Sequence, residues 1–249
     1  MISIITMPRP IHVFVRHCNV SSNSVNKVRP DWFTKEKALQ NLLATKDDLT
    51  DVTILLDTGS SDQDPSLHFT DAYQKRGDLK VVPIRGGTDA HSFINLIEYV
   101  TSQTNIRPND IVYLLEDDYI HREGWCKALR EAFDADLADY VTLYDHSDKY
   151  GPLYKGLRSE LFVTPSSHWR MTPSTTNTYA MLFDTLQTHK SVHLKFSDVK
   201  VGYTFDHNKF MYLNNMGKKL VSSIPGFSTH VEQEYLSPVV DWKSIMQNI

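Results

Sequence analysis

The sequence predicts an α/β protein: a single domain with a mostly parallel central sheet flanked by helices. Three observations carry this. From Ile11 to Tyr144, short apolar runs alternate with segments of helical periodicity, in the order β-α-β-α-β-α-β-α-β. Ile111 to Leu115 is apolar without a polar break, as suits a strand buried on both faces of a parallel sheet. Several of these strands end in charged residues, at the rim where open α/β sheets bind ligands.

Ile11–Val15 is the first predicted strand, ending at Arg16-His17-Cys18-Asn19. Ser21 to Pro30 is a polar loop closed by a proline. Thr34 is placed to cap a helix in which Ala38, Leu39, Leu42 and Leu43 recur at helical spacing. Val52–Leu56 is the second strand, followed by the tight turn Asp57-Thr-Gly-Ser-Ser-Asp62. A helix is expected from Pro65 to about Lys75, with proline at an early, tolerated position. Lys80–Ile84 is the third strand and leads into Arg85-Gly86-Gly87. Ser92 opens a helix whose Phe93, Leu96, Ile97 and Val100 share a face.

The turn Pro108-Asn109-Asp110 feeds the apolar strand, which ends in Glu116-Asp117-Asp118. A helix over about 122–133 and a fifth strand, Tyr140–Tyr144, complete the alternation. Residues 146–176 show no clean period, apart from a short strand at Leu161–Val163. Helices are expected near 177–189 and 205–218. A short strand, a Pro-Gly turn and an irregular tail fill 220–249.

With 41% hydrophobic and 22% charged residues over 249 positions, the composition is that of a soluble globular protein with ample core. A net charge of −4 and a pI near 6.2 argue against a general nucleic-acid binder. Cys18 and Cys126 match no zinc spacing and are expected as reduced thiols. The N-terminal stretch lacks the basic start of a signal peptide, and no apolar run approaches the ~20 residues of a membrane span. A cytoplasmic protein is the expectation.

Three adjacent acids repel, and a cation among them would relieve the repulsion. A hard divalent ion, Mn2+ or Mg2+, suits oxygen ligands there; a solvated acidic turn is the alternative. Beside Asp118, His230 would complete a carboxylate site for Mn2+. Arg16 and Arg85 end strands, within reach of phosphate or carboxylate on the same rim, or else pair with nearby acids. Asp206 is a general base if it faces the cleft, and otherwise a helix-start acid favoured by the macrodipole. Asp57-Thr-Gly-Ser mimics an aspartic-protease motif, but no second copy occurs and helical periodicity flanks it on both sides.

Taken in order, these motifs resemble a nucleotide-sugar-dependent glycosyltransferase of the GT-A fold, over about residues 10–235. Leu-Leu-Glu116-Asp117-Asp118 is similar to the Asp-x-Asp motif in its Glu-Asp-Asp form. Leu55-Leu-Asp57-Thr-Gly-Ser-Ser-Asp62 resembles the acidic turn after the second strand, whose first acid contacts the base. Phe205-Asp206 resembles the x-Glu-Asp catalytic position, with Phe where that motif has an acid, and Pro225-Gly-Phe-Ser-Thr-His230 resembles the late metal-binding histidine.

The resemblance implies a donor half (about 10–145) and an acceptor half (about 146–249). It implies a UDP- or GDP-sugar as donor and a glycan or other hydroxyl as acceptor. Mn2+ or Mg2+ would sit on Asp118 and His230, with Asp117, Asp57, Arg16 and Arg85 toward the nucleotide. Asp206 would be the base of an inverting transfer, with Asp145, Asp148 and Glu160 next in line. Tyr150, Tyr154 and Trp169 would stack on sugar. Metal-dependent nucleotidyl or phosphoryl transfer, or sugar-nucleotide binding without catalysis, are the rival readings.

Overall fold

The computed structural model describes residues 7–18, 27–59 and 65–247. The expected N-terminal segment, most of the Ser21–Pro30 loop and the end of the Asp57–Asp62 turn lie outside them. The chain begins with β1 (Ile11–Cys18), α1 (Lys35–Thr45), β2 (Thr50–Asp57), α2 (Phe69–Arg76), β3 (Lys80–Ile84), α3 (Asp89–Thr101) and β4 (Ile111–Glu116). After it come β5 (Tyr119–His121), α4 (Trp125–Asp134) and β6 (Tyr140–Thr142). The remainder is β7 (Leu161–Thr164), β8 (Ser167–Met171), β9 (Tyr179–Leu182), α5 (Phe183–Lys195), β10 (Ser197–Asp198), β11 (Tyr203–Thr204), α6 (Asp206–Asn215), β12 (Leu220–Ile224), β13 (Ser228–His230) and α7 (Trp242–Gln247).

Nine strands form one sheet in the order β3-β2-β1-β4-β9-β6-β12-β8-β7. The β3-β2-β1-β4 block is wholly parallel. Beyond it β9 runs antiparallel between β4 and β6, and β12 pairs parallel with β6 but antiparallel with β8. Successive strand residues point to opposite faces, so alternate apolar positions build two cores. Ile11, Val13 and Val15 pack with Leu39, Leu42, Trp125 and Leu129 from α1 and α4. Phe14, Val112 and Leu114 pack with Phe93, Leu96 and Ile97 of α3, Leu186 of α5 and Phe210 and Leu213 of α6. Helices thus cover both faces, which is why β4 is buried along its apolar length.

The Thr34 cap is present: its side chain accepts from the Lys37 amide. α3 starts three residues before Ser92, because Thr88 caps it by accepting from the His91 amide. The helix expected near 177–189 is instead strand β9 followed by α5. Tyr179-Ala-Met-Leu is fully apolar and enters the sheet between β4 and β6, where burial on both faces suits an extended chain. Among the described residues no helix is long and apolar enough to cross a membrane.

Because Leu114 is wholly buried between β1 and β9, Leu114→Ala should cost about 2–5 kcal/mol by denaturant unfolding. A loss below ~0.5 kcal/mol would contradict this packing.

Candidate active site

β1 lies between β2 and β4, and the chain winds outward in opposite directions from this pair. Such a switch point leaves a crevice beyond the carboxyl ends of the strands. Register sets its walls: Arg16 on β1 is paired with Glu116 on β4, and Cys18 with Asp57 on β2.

The three motif acids diverge, and each meets its own cationic groups. Glu116 takes Arg16 at 2.9 Å, and Arg16 also grips the carboxylate of Asp89 at the start of α3. Asp117 accepts from Lys35 of α1 and the Cys18 amide and pairs with His17, at 2.9, 3.1 and 2.9 Å. Asp118 accepts from Arg29 at 2.7 Å and Lys27 at 3.0 Å, and lies 2.9 Å from His230 Nε2.

Burial tends to raise all three acids. At Asp118 the imidazole of His230 and the charges of Lys27 and Arg29 overcome that and hold the pKa well below the ordinary carboxylate value. Against the same burial, His17 and Lys35 lower Asp117. At Glu116 burial prevails over Arg16 and the pKa is raised.

His230 reaches Asp118 through a three-residue ladder. β13 pairs antiparallel with β5, setting His230 opposite Tyr119, and the Val231 amide donates to the Asp118 carbonyl at 2.8 Å. The structure therefore unites the two residues that the sequence assigns to a metal. Their donor atoms, however, converge on an ammonium: Lys27 Nζ lies 3.0 Å from Asp118 Oδ2 and 3.2 Å from His230 Nε2. Among the described residues no three His, Cys, Asp or Glu groups gather around one point, whereas hard divalent ions want about six oxygen-rich ligands. With Lys27 and Arg29 on the same carboxylate oxygen, this arrangement does not fit Mn2+ or Mg2+.

Asp57 is engaged by backbone. Its carboxylate accepts from the amides of Gly59 and Gly86 at 2.9 Å each, and from Gly87 at 3.2 Å, tying the end of β2 to the β3–α3 loop. Arg16, expected to face the nucleotide, has its guanidinium committed to Glu116 and Asp89 with the side chain 10% exposed, so it acts as a tether. Arg85 is exposed at the end of β3. Asp206 opens α6, partly buried, and accepts from the adjacent His207 amide at 2.7 Å. Burial raises its pKa, with Lys209 opposing.

A chain of contacts joins Asp206 to the motif strand. Glu116 binds Arg16, Arg16 binds Asp89, and Asp89 accepts from the amide and hydroxyl of Thr204, two residues before Asp206. Thr204 also accepts from Asn177, whose carbonyl holds the buried ammonium of Lys209 at 2.7 Å.

On the other wall, Tyr154 reaches His207 at 3.4 Å and Ser174 at 3.1 Å. Tyr150 is 57% exposed, whereas Trp169 is wholly buried and donates to Thr164. The structure removes Trp169 from any sugar-stacking role. Asp145 is buried against Arg170 and Tyr150, at 2.7 and 2.6 Å. Asp148 pairs with Lys149 and His146, and Glu160 is exposed. Lys27, Arg29, Lys35, His17, Asp89 and Lys209 were not singled out from sequence. Lys27 and Arg29 carried one usable signal, two cations in an otherwise neutral polar loop ahead of Pro30.

Among solved structures, the chain is similar to GalNAc-T7, crystallised with UDP, GalNAc and Mn2+. The TM-score is 0.59 at 10% identity, over 92% of this chain and 45% of that one. It is similar to a CMP:2-keto-3-deoxy-manno-octonic acid synthetase complexed with CTP, with a TM-score of 0.50 at 15% identity over 87% and 92% of the two chains. It also resembles S. aureus TarS 1-349, at 0.48 and 14% over 86% and 57%. The chain spans less than half the length of GalNAc-T7. No protein family matches the sequence, and neither does any curated protein. At such identities the likeness speaks for the fold alone, and the fold is GT-A.

A Cβ at Gly86 would lie 2.8 Å from the Ser92 backbone and closer still to the Asp57 carboxylate. Gly86→Ala should therefore loosen the β2–α3 junction and cost about 1–3 kcal/mol, read as a drop in the unfolding midpoint. An unchanged midpoint would show that Asp57 and α3 shift freely.

Proposed function

We propose that the chain is a glycosyltransferase that moves a sugar from a nucleoside-diphosphate donor to an acceptor hydroxyl with inversion. The observation that carries this reading is the run Glu116–Arg16–Asp89–Thr204, which fastens the start of α6, and so Asp206, to the switch-point crevice. The GT-A fold supports it, and so do the UDP and GalNAc of the GalNAc-T7 crystal.

The donor diphosphate would lie over the rim of β1 and β4. Asp57, held rigid by the glycine amides, would face the base together with exposed Arg85. The acceptor would enter between α6 and the segment carrying Tyr150 and Tyr154. Asp206 would accept the hydroxyl proton as the oxygen attacks the anomeric carbon from the face opposite the leaving group. Burial that raises its pKa makes it a better base than a free aspartate. The diphosphate departs with two negative charges, and cationic groups at the rim take them up. A division into a donor half over about 10–145 and an acceptor half beyond it follows from this placement.

Nucleotidyl transfer is the second reading, supported by the likeness to the CTP-bound synthetase. Products separate the two: incubation with UDP-sugars, GDP-sugars and NTPs should release nucleoside diphosphate from a sugar donor and no pyrophosphate from an NTP. Pyrophosphate release would favour the synthetase reading, and donor binding without turnover a binding protein.

Asp206→Asn keeps size and removes the proton acceptor, so transfer should fall by roughly 10²–10⁴ while donor affinity stays within a few-fold. A base works only when deprotonated. Because burial raises Asp206, the wild-type rate should fall with decreasing pH through a limb above the ordinary carboxylate value of about 3.9. Normal transfer by Asp206→Asn would place the base elsewhere, with Asp145 first to be tried.

A further inference from the structure

Two cations meet one anion at Asp118. Arg29 and Lys27 both bind its Oδ2, His230 stands beside it, and Glu232 lies 3.7 Å from the other ring nitrogen of His230. The two cations are held differently. Arg29 is 17% exposed, also donates to the Val231 carbonyl and lies over the Phe33 ring, which makes it a fixture of the β5–β13 junction. Lys27 is 29% exposed, with its ammonium bridging Asp118 Oδ2 and His230 Nε2. Its stem leaves the ammonium free to turn a third N–H toward a ligand. A carboxylate and an imidazole holding a cation at the rim are the elements of a metal site, with an ammonium at the centre.

We propose that Lys27 is the resident cation of this site, and that with Arg29 it meets the diphosphate of the donor, so that donor binding and transfer proceed without a divalent metal. The inference rests on the nucleotide-sugar reading and deepens it. A phosphate oxygen arriving at Lys27 finds the ammonium already held and aimed by Asp118 and His230, so little reorganisation is needed. Asp118 is then the residue that positions the ammonium, and His230 limits where it can swing.

The test is calorimetric titration of UDP and GDP into the protein in excess EDTA and in Mn2+, with paramagnetic resonance reporting free and bound Mn2+. Wild-type protein should bind one nucleotide equally, within about twofold, in both conditions, and should leave Mn2+ free. Lys27→Ala should weaken that binding about tenfold or more in EDTA, as expected for loss of a charge-assisted contact. Because Arg29 still occupies Asp118 Oδ2 in Lys27→Ala, added Mn2+ should not recover the lost affinity. Lys27→Arg should stay within a few-fold of wild type. Thermal midpoints of the variants establish that they fold.

Binding only in the presence of Mn2+, with Mn2+ held by wild type and Lys27→Ala indistinguishable from it, would overturn the proposal. Equal loss in Lys27→Ala and Lys27→Arg would reduce Lys27 to a packing role, and recovery of Lys27→Ala by Mn2+ would show a metal site; either would overturn it too. If neither nucleotide binds under any condition, the nucleotide-sugar reading itself falls, and this inference with it.

Discussion

The structure depends on how the carboxylates of Glu116, Asp117 and Asp118 are kept apart. Three anions in succession at the end of a core strand, Asp118 buried and the other two half-buried, would repel strongly, since burial removes the water that screens them. The chain splits them in three directions. Arg16 takes the first, Lys35 and His17 the second, Lys27 and Arg29 the third. Removing Arg16 would leave Glu116 without its cation, and loss of one partner from such a pair is worth several kcal/mol. The rim of β4 is thus held by contacts that also fix α1, the segment before it, and the junction with β13.

The topology explains why these partners are at hand. β1 is the neighbour of both β2 and β4, so Arg16, His17 and Cys18 end beside Glu116 and Asp117 by register alone. α1 returns over the same crevice and brings Lys35, while α3 starts at Asp89 where Arg16 can reach it. Asp89 then holds Thr204 and with it the entry to α6. The rim of β4 and the start of α6 are therefore one electrostatic assembly, although about ninety residues separate Glu116 from Asp206.

Much of this was legible in the sequence, and the divide follows range of interaction. Lys80–Ile84 has its expected limits, and the alternation through β6 is as expected apart from the inserted β5, because local periodicity decides both. Pairing of Asp118 with His230 was anticipated from the resemblance, but its structural cause is the β5–β13 ladder, whose strands are too short to leave a pattern. β9 was mistaken for helix because four apolar residues fit either state, and only insertion between β4 and β6 decides. Trp169 is expected to stack on sugar with Tyr150 and Tyr154, whereas the β7–β8 hairpin buries it. Repulsion among the three acids is expected from the sequence, whereas Lys27 and Arg29 as partners of Asp118 are not. The two cations stand out in their polar loop, but local pattern does not point to a partner some ninety residues away.

Lys209 shows the same principle inside the molecule. Its side chain is buried with a single hydrogen bond, to Asn177, and the ammonium lies over the rings of Phe93, Tyr179 and Phe210. Burial lowers its pKa to about 7, even with Asp206, Glu116 and Asp89 pulling the other way. An isolated ammonium in such a place would lose its proton, since desolvation of a lone charge costs more than rings and one amide return. Nearby carboxylates keep protonation within reach of neutral pH, and the ammonium in turn opposes the rise that burial imposes on Asp206. The acids and bases of this crevice hold one another in their working charge states. A substitution at any of them should therefore be judged by its effect on the neighbour across the crevice as well as by the contact it removes.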